Sequence, residues 1–131
     1  MGYSINHIHI RAQDPHSSAA WYEEFFNAKV ISAREVMPGT ITVSMDAGGP
    51  VRLNISSQPS GSSDETMPAE LNRLGLEHFG FDTSDIEADI QRFQRSGVRI
   101  VLPITEISGG TKLAYIAGPD EVLIELVQPA I

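Results

Sequence analysis

Ile5-Asn6-His7-Ile8-His9-Ile10 and Leu76-Glu77-His78-Phe79-Gly80-Phe81 read as one motif written twice, 71 residues apart (7 to 78). The first copy alternates, with Ile5, His7 and His9 on one face and Ile8 and Ile10 on the other. A period of two is the mark of a strand. The same offset carries Asp14 onto Asp85 and Thr40–Asp46 onto Thr111–Ala117. It also carries Val51-Arg52-Leu53-Asn54-Ile55 onto Val122-Leu123-Ile124-Glu125-Leu126. One shift shared by four separate places marks an internal duplication, although few residues are identical and the helix-to-second-strand region needs about one residue of slack.

Working outward, each copy has the order strand, helix, strand, strand, strand. Asp14-Pro15 reads as an N-cap followed by proline at the first helical position. The helix it opens runs to Phe26, with Trp21/Phe25 and Tyr22/Phe26 as i,i+4 pairs on an apolar face. Strands follow at Lys29–Glu35, Thr40–Asp46 and Val51–Ser56, with turns at Met37-Pro38-Gly39 and Ala47-Gly48-Gly49-Pro50. Ser57–Met67 is rich in serine, glycine and proline and reads as a loop; Pro68–Leu74 reads as a short helical turn. The second copy places strands at Leu76–Phe81, Val98–Leu102, Thr111–Ala117 and Val122–Val127. Its helix spans Asp85–Ser96, with Ile86, Ile90 and Phe93 in phase and Gly97 at the C-terminal cap. The expected fold is α+β: two βαβββ modules forming mixed curved sheets, each backed by one helix. One domain is expected, made of module 1 (1–56), a linker (57–75) and module 2 (76–131).

Composition narrows the class. The 131 residues suit one compact domain, and 41% of them are hydrophobic, enough to build a core. The absence of cysteine excludes a disulfide scaffold, a thiolate zinc site and a cysteine nucleophile. A formal net charge of −8 opposes nucleic acid and anionic membrane as partners. No apolar run reaches membrane-spanning length, and the first residues enter a strand pattern with no signal-peptide organisation, so a cytoplasmic location is expected.

The duplication also places chemistry. Each half opens with a strand-borne histidine, His7 and His78, and its final strand carries a polar residue in an apolar run, Asn54 and Glu125. A two-fold repeat would gather these four positions about its axis. Two imidazoles and a carboxylate suit a first-row divalent ion, Zn, Ni, Fe, Mn or Co, with positions left for substrate. A single strand histidine is more often a half-exposed polar residue than a ligand. Glu125 is harder to dismiss, because a carboxylate in Leu123-Ile124-Glu125-Leu126 needs a partner, an arginine such as Arg52 or Arg99 or a metal. His9 shares the face of His7 and is a candidate acid or base. Tyr115 is a candidate phenol donor, though strand parity leaves its face open. Arg52 and Asn54 share one strand face and are candidates for contacting substrate or supporting the ligands.

Three stretches, NHIHIRAQDPHSSAAWYEEFF, LEHFGFDTSDIEADIQRFQRSGVRI and YIAGPDEVLIELVQ, resemble the vicinal oxygen chelate superfamily, that of glyoxalase, bleomycin resistance protein and extradiol dioxygenase. Together they span both modules. The resemblance implies that the histidine opening each module, His7 rather than His9 in the first and His78 in the second, is a metal ligand, together with Glu125. It implies glutamate or glutamine at position 54 in members with four protein ligands. Asn54 is a methylene shorter, so the pattern is closer to three-ligand members, and Asn54 is expected about 3 Å or more from the ion. Gly118-Pro119-Asp120-Glu121 stands where the superfamily has aspartate-proline-aspartate-glycine.

The leading expectation is a metal-dependent isomerase or lyase of glyoxalase type acting on a small oxygenated substrate. The alternatives are an extradiol-type dioxygenase, a thiol transferase conferring antibiotic resistance, and a metal-free drug-binding module. The superfamily runs several reactions on one scaffold, so fold does not select among them. A homodimer is expected, because small open sheets leave edges to cover and relatives are usually dimeric.

Overall fold

The computed structural model describes residues 2–62 and 67–131. The chain divides into two units, Met1–Thr66 and Met67–Ile131, each with its own helix and sheet. Unit 1 contains β1 (His7–Ala12), α1 (Pro15–Phe26), β2 (Lys29–Met37), β3 (Thr40–Asp46) and β4 (Arg52–Ser57). Unit 2 contains β5 (Phe79–Asp82), α2 (Ile86–Arg95), β6 (Ile100–Glu106), β7 (Lys112–Ala117) and β8 (Leu123–Gln128), with a short 3-10 turn at Pro119–Glu121. The sheets have the same topology, β1-β4-β3-β2 and β5-β8-β7-β6. In each, the first and last strands of the unit pair in parallel and the other neighbours run antiparallel, so both sheets are mixed. The expected α+β architecture of two βαβββ modules is the one observed.

Strand pairing obeys the sequence repeat. His9 pairs with Asn54 as Gly80 pairs with Glu125, and Thr42 pairs with Ser56 as Leu113 pairs with Val127. In the outer pair Arg34 with Thr42 matches Thr105 with Leu113, whereas Ser32 with Ser44 meets Leu102 with Tyr115, a slip of one residue on the edge strand at its register shifts. Each sheet has one face under its helix and one open face, and alternation along the strands assigns residues to them.

Helix starts follow from their caps. Asp14 accepts hydrogen bonds from the backbone N–H of His16 and Ser17 at 3.1 and 3.3 Å, with Pro15 behind it. Asn27, left-handed at φ 53°, ends α1. Asp85 accepts from the N–H of Ala88 at 3.1 Å. Acidic residues occupy the first turn of α2 and Arg92 and Arg95 its last, which complements the helix dipole. α1 buries Ala19, Tyr22 and Phe25 over Val43, Met45, Leu53 and Ile55; α2 buries Ile86, Ile90 and Phe93 over Ala114, Ile116, Ile124 and Leu126. Trp21 and Phe26 stay only partly covered. Each fully buried apolar side chain contributes about 1.5–3 kcal/mol by leaving water. The cores therefore lie under the helices, and the open faces are free to carry polar groups.

Three local expectations are corrected. Pro68–Leu74 forms no helical turn; a single turn at Leu71-Asn72 stands there, with Asn72 at φ 70° and Gly75 at φ 97°, conformations that a right-handed helix cannot contain. The strand expected from Leu76 begins at Phe79. The strand expected to end at Leu102 continues to Glu106 through Pro103, which is tolerated because β6 is an edge strand with a register shift between Leu102 and Thr105. Residues 63–66 of the expected linker lie outside the described residues. Among the described residues, no helix is long and apolar enough to cross a membrane.

Candidate functional site

On unit 2, the residue before β5 and the strands β7 and β8 bring three of the expected site residues together, His78, Tyr115 and Glu125. Glu125 pairs across to Gly80 on one side and Tyr115 on the other. Its neighbours in sequence, Ile124 and Leu126, point to the helix and are buried. Glu125 Oε1 lies 3.2 Å from His78 Nε2, so the side chain it faces is this histidine and not an arginine. His78 Nδ1 lies 2.7 Å from Glu77 Oε1. The other Glu77 oxygen accepts the backbone N–H of Asn72. That N–H, and then His78, hold the Glu77 carboxyl below the usual carboxylate range. Tyr115 packs edge-on against the His78 ring, centroids 5.0 Å apart. Burial, and then the charges of Glu125 and Glu77, push its phenol above the ordinary value, so it keeps its proton. Gly80 leaves the space beside Glu125 clear; a Cβ there would stand 3.4 Å from the Glu125 Cβ and 3.5 Å from Oε1.

This arrangement fits a metal ligand pair. Glu77 holds the Nδ1 side of the His78 ring, so that Nε2 faces Glu125. Imidazole nitrogen and carboxylate oxygen are both ligands of first-row divalent ions, and an ion at this place would be held by Nε2 and Oε1 together. A carboxylate on the far nitrogen is the usual support for a ligating histidine. His7 on unit 1 repeats the device, with Nδ1 2.9 Å from Asn6 Oδ1. Asn6 and Glu77 stand 71 residues apart, the offset of the histidines themselves (6 to 77). Both were missed by sequence reasoning, although the repeat offset, applied to the residue before each histidine, points to them. Among the described residues, no three His, Asp or Glu side chains are grouped to hold an ion; the convergent pair is His78 and Glu125.

The open face of unit 1 is different in kind. It forms a concave pocket of about 380 Å³ lined by residues of β1 to β4. His9 Nε2 lies 2.8 Å from Ser56 Oγ, which lies 2.7 Å from Thr42 Oγ1. Desolvation first, then the charges of Arg11 and His7, hold the His9 imidazole below its usual pKa. Asn54 lines the pocket, and its Oδ1 is buried without a hydrogen-bond partner. Arg52 is exposed and does not line it; the arginines that do are Arg11 and Arg34, neither of them anticipated from sequence.

A family profile described as the glyoxalase/bleomycin resistance protein/dioxygenase superfamily matches residues 4–126. The chain belongs to this superfamily. A lactoylglutathione lyase of Pseudomonas aeruginosa is 23% identical, over 98% of this chain and 84% of that one. A glyoxalase family protein from Bacillus cereus superposes with a TM-score of 0.83 at 18% identity, over 97% of this chain and 94% of that one. A genomically encoded fosfomycin resistance protein from Listeria monocytogenes superposes with a TM-score of 0.74 at 17% identity, over 100% and 94% of the two chains. At these identities the structural likeness is one of fold.

Proposed function

We propose that the protein is a metal-dependent isomerase or lyase of glyoxalase type acting on a small oxygenated substrate, with a divalent ion, Zn, Ni, Fe, Mn or Co, held by His7, His78 and Glu125. The observation that carries this reading is His78 Nε2 facing Glu125 Oε1 at 3.2 Å while Nδ1 is tied to Glu77. The similarity to a lactoylglutathione lyase over nearly the whole chain supports the reaction class. When bound, the ion supplies Lewis acidity to two neighbouring substrate oxygens. Glu77 and Asn6 orient the two imidazoles. Tyr115, held protonated beside Glu125, donates a hydrogen bond to a substrate oxygen. His9, anchored at Nε2 by Ser56, moves a proton through its other nitrogen. Asn54 contacts substrate and is not a ligand. The reading is of a cytoplasmic homodimer; edge strand β2 exposes Val30, Ile31, Val36 and Met37, which a second copy would cover.

A metal-free binding module is favoured by one feature. A His78 carrying both ring protons closes Glu77–His78–Glu125 as an ion triad with no metal. Titration calorimetry with Zn²⁺ and Ni²⁺ on chelator-stripped protein separates the two. His7→Ala, His78→Ala and Glu125→Gln each lower metal affinity by about 100-fold or more in the metal reading, since removing one of three ligands leaves a poor chelate. Unchanged affinity in His78→Ala or Glu125→Gln refutes it.

A further inference from the structure

We propose that the unit 1 pocket takes a small hydroxylated oxyanion, a molecule with a phosphate or carboxylate group held between Arg11 and Arg34 and a hydroxyl directed at Asn54. This names the substrate class for the function proposed above, and rests on that function only in assigning the pocket to the substrate.

The argument begins with charge. The chain carries −8 overall, yet none of the residues lining this pocket is acidic and two are arginines. Strand register arranges them. Arg11 pairs with Ser56, Ser56 with Thr42, and Thr42 with Arg34, so one row crosses all four strands as Arg-Ser-Thr-Arg. Three inter-strand steps separate the two arginines by roughly 14 Å at the backbone of a flat sheet, and less where the sheet is concave. Two long side chains from opposite edges can close over one group above the hydroxyls. Arg11 commits one N–H to the Ser57 carbonyl at 2.8 Å, which fixes the side chain and leaves its other donors for a ligand. Arg34 has no ion-pair or hydrogen-bond partner among the described residues. A fork of N–H donors with no carboxylate nearby is matched by an oxyanion, not by a cation or a neutral apolar group.

The second half of the ligand follows from Asn54. The adjacent row reads His9-Asn54-Ser44-Ser32, two residues along each strand from the arginine row, about 7 Å away. Asn54 Oδ1 is buried without a donor, and such an acceptor costs stability until one arrives. A carboxylate or a fully ionised phosphate group has no donor to give it. A hydroxyl on the same molecule, one row further along, can.

The test is titration calorimetry on metal-free wild-type protein, so that its outcome does not depend on the metal ligands. The probes are inorganic phosphate, glycerol phosphate, glycerate and neutral glycerol. Saturable binding of glycerol phosphate or glycerate, tighter than inorganic phosphate and with none for glycerol, is expected; the tighter of the two assigns phosphate or carboxylate. Arg34→Gln, on an exposed edge-strand position, weakens binding about tenfold, as loss of a charged hydrogen-bond partner does. Asn54→Ala removes the preference for the hydroxylated probe over inorganic phosphate. Failure of all three anions to bind, or equal affinity in wild type and Arg34→Gln, overturns the proposal. A protein that binds these anions but no metal overturns only the function proposed above.

Discussion

The two open faces share one backbone plan and have diverged in chemistry. Where unit 1 has His9, Ser44, Asn54 and Ser56, the same offset finds Gly80, Tyr115, Glu125 and Val127 in unit 2. Unit 1 thereby gains a basic, hydroxyl-lined pocket with no carboxylate; unit 2 gains a phenol and a carboxylate around its histidine. The one feature both keep is the histidine after Asn6 or Glu77, its Nδ1 tied back by the preceding side chain. The two units thus share the support of the imidazole and differ in its surroundings. On that contrast rest the two proposals, of cation ligands on unit 2 and of anion recognition on unit 1.

The comparison breaks most visibly at the supporting residues. Glu77→Gln removes the charge that orients His78 and is expected to weaken Zn²⁺ binding about 10- to 100-fold, whereas Asn6→Ala, which removes a neutral acceptor, costs less. Calorimetry on the two variants checks the ranking, and equal losses would show the units to be equivalent. A smaller effect is expected at Asn54. Asn54→Ala should reduce turnover in the proposed reaction about fivefold, the worth of one neutral hydrogen bond, with metal affinity unchanged. A metal loss as large as that of His78→Ala would make Asn54 a ligand and draw the two faces together. The smallest effect concerns the turn before β8. Glu121 has φ 60°, in the left-handed region where a side chain costs about 1 kcal/mol and glycine does not. Glu121→Gly should therefore raise stability by about 1 kcal/mol in urea unfolding, less what glycine loses through its freer unfolded chain. No gain would show that the Glu121 side chain offsets its own strain.

The fold was legible because the repeat offset is a property of order, and strand pairing follows order. Thr42 with Ser56 and Leu113 with Val127 could be aligned before any pairing was known. The site was legible only where a polar residue interrupts an apolar run, as Glu125 does. Tyr115 needed the register, since its face is set by pairing with Glu125. Arg11 and Arg34 were invisible because they come from opposite edges of a sheet and converge only through three registers. Arg52, chosen for its strand face alone, lies outside the pocket, since facing the right way does not bring a residue into the concave centre. Pro68–Leu74 misled because good helix formers there are interrupted by Asn72 and Gly75, whose left-handed backbone no propensity scale anticipates.

Because the pairing registers of β1, β3 and β4 map onto those of β5, β7 and β8 by a single number, a position on these strands of one open face has a known address on the other. The residues beneath, such as Val43 and Ile55 or Ala114 and Leu126, are wholly covered and take no part in the exchange. Side chains can therefore be transplanted between halves singly, Asn54→Glu or Ser44→Tyr, without redesigning a loop or recutting a core. Each half is thus a frame on which the other's side chains can be tried one at a time while its own core stays in place.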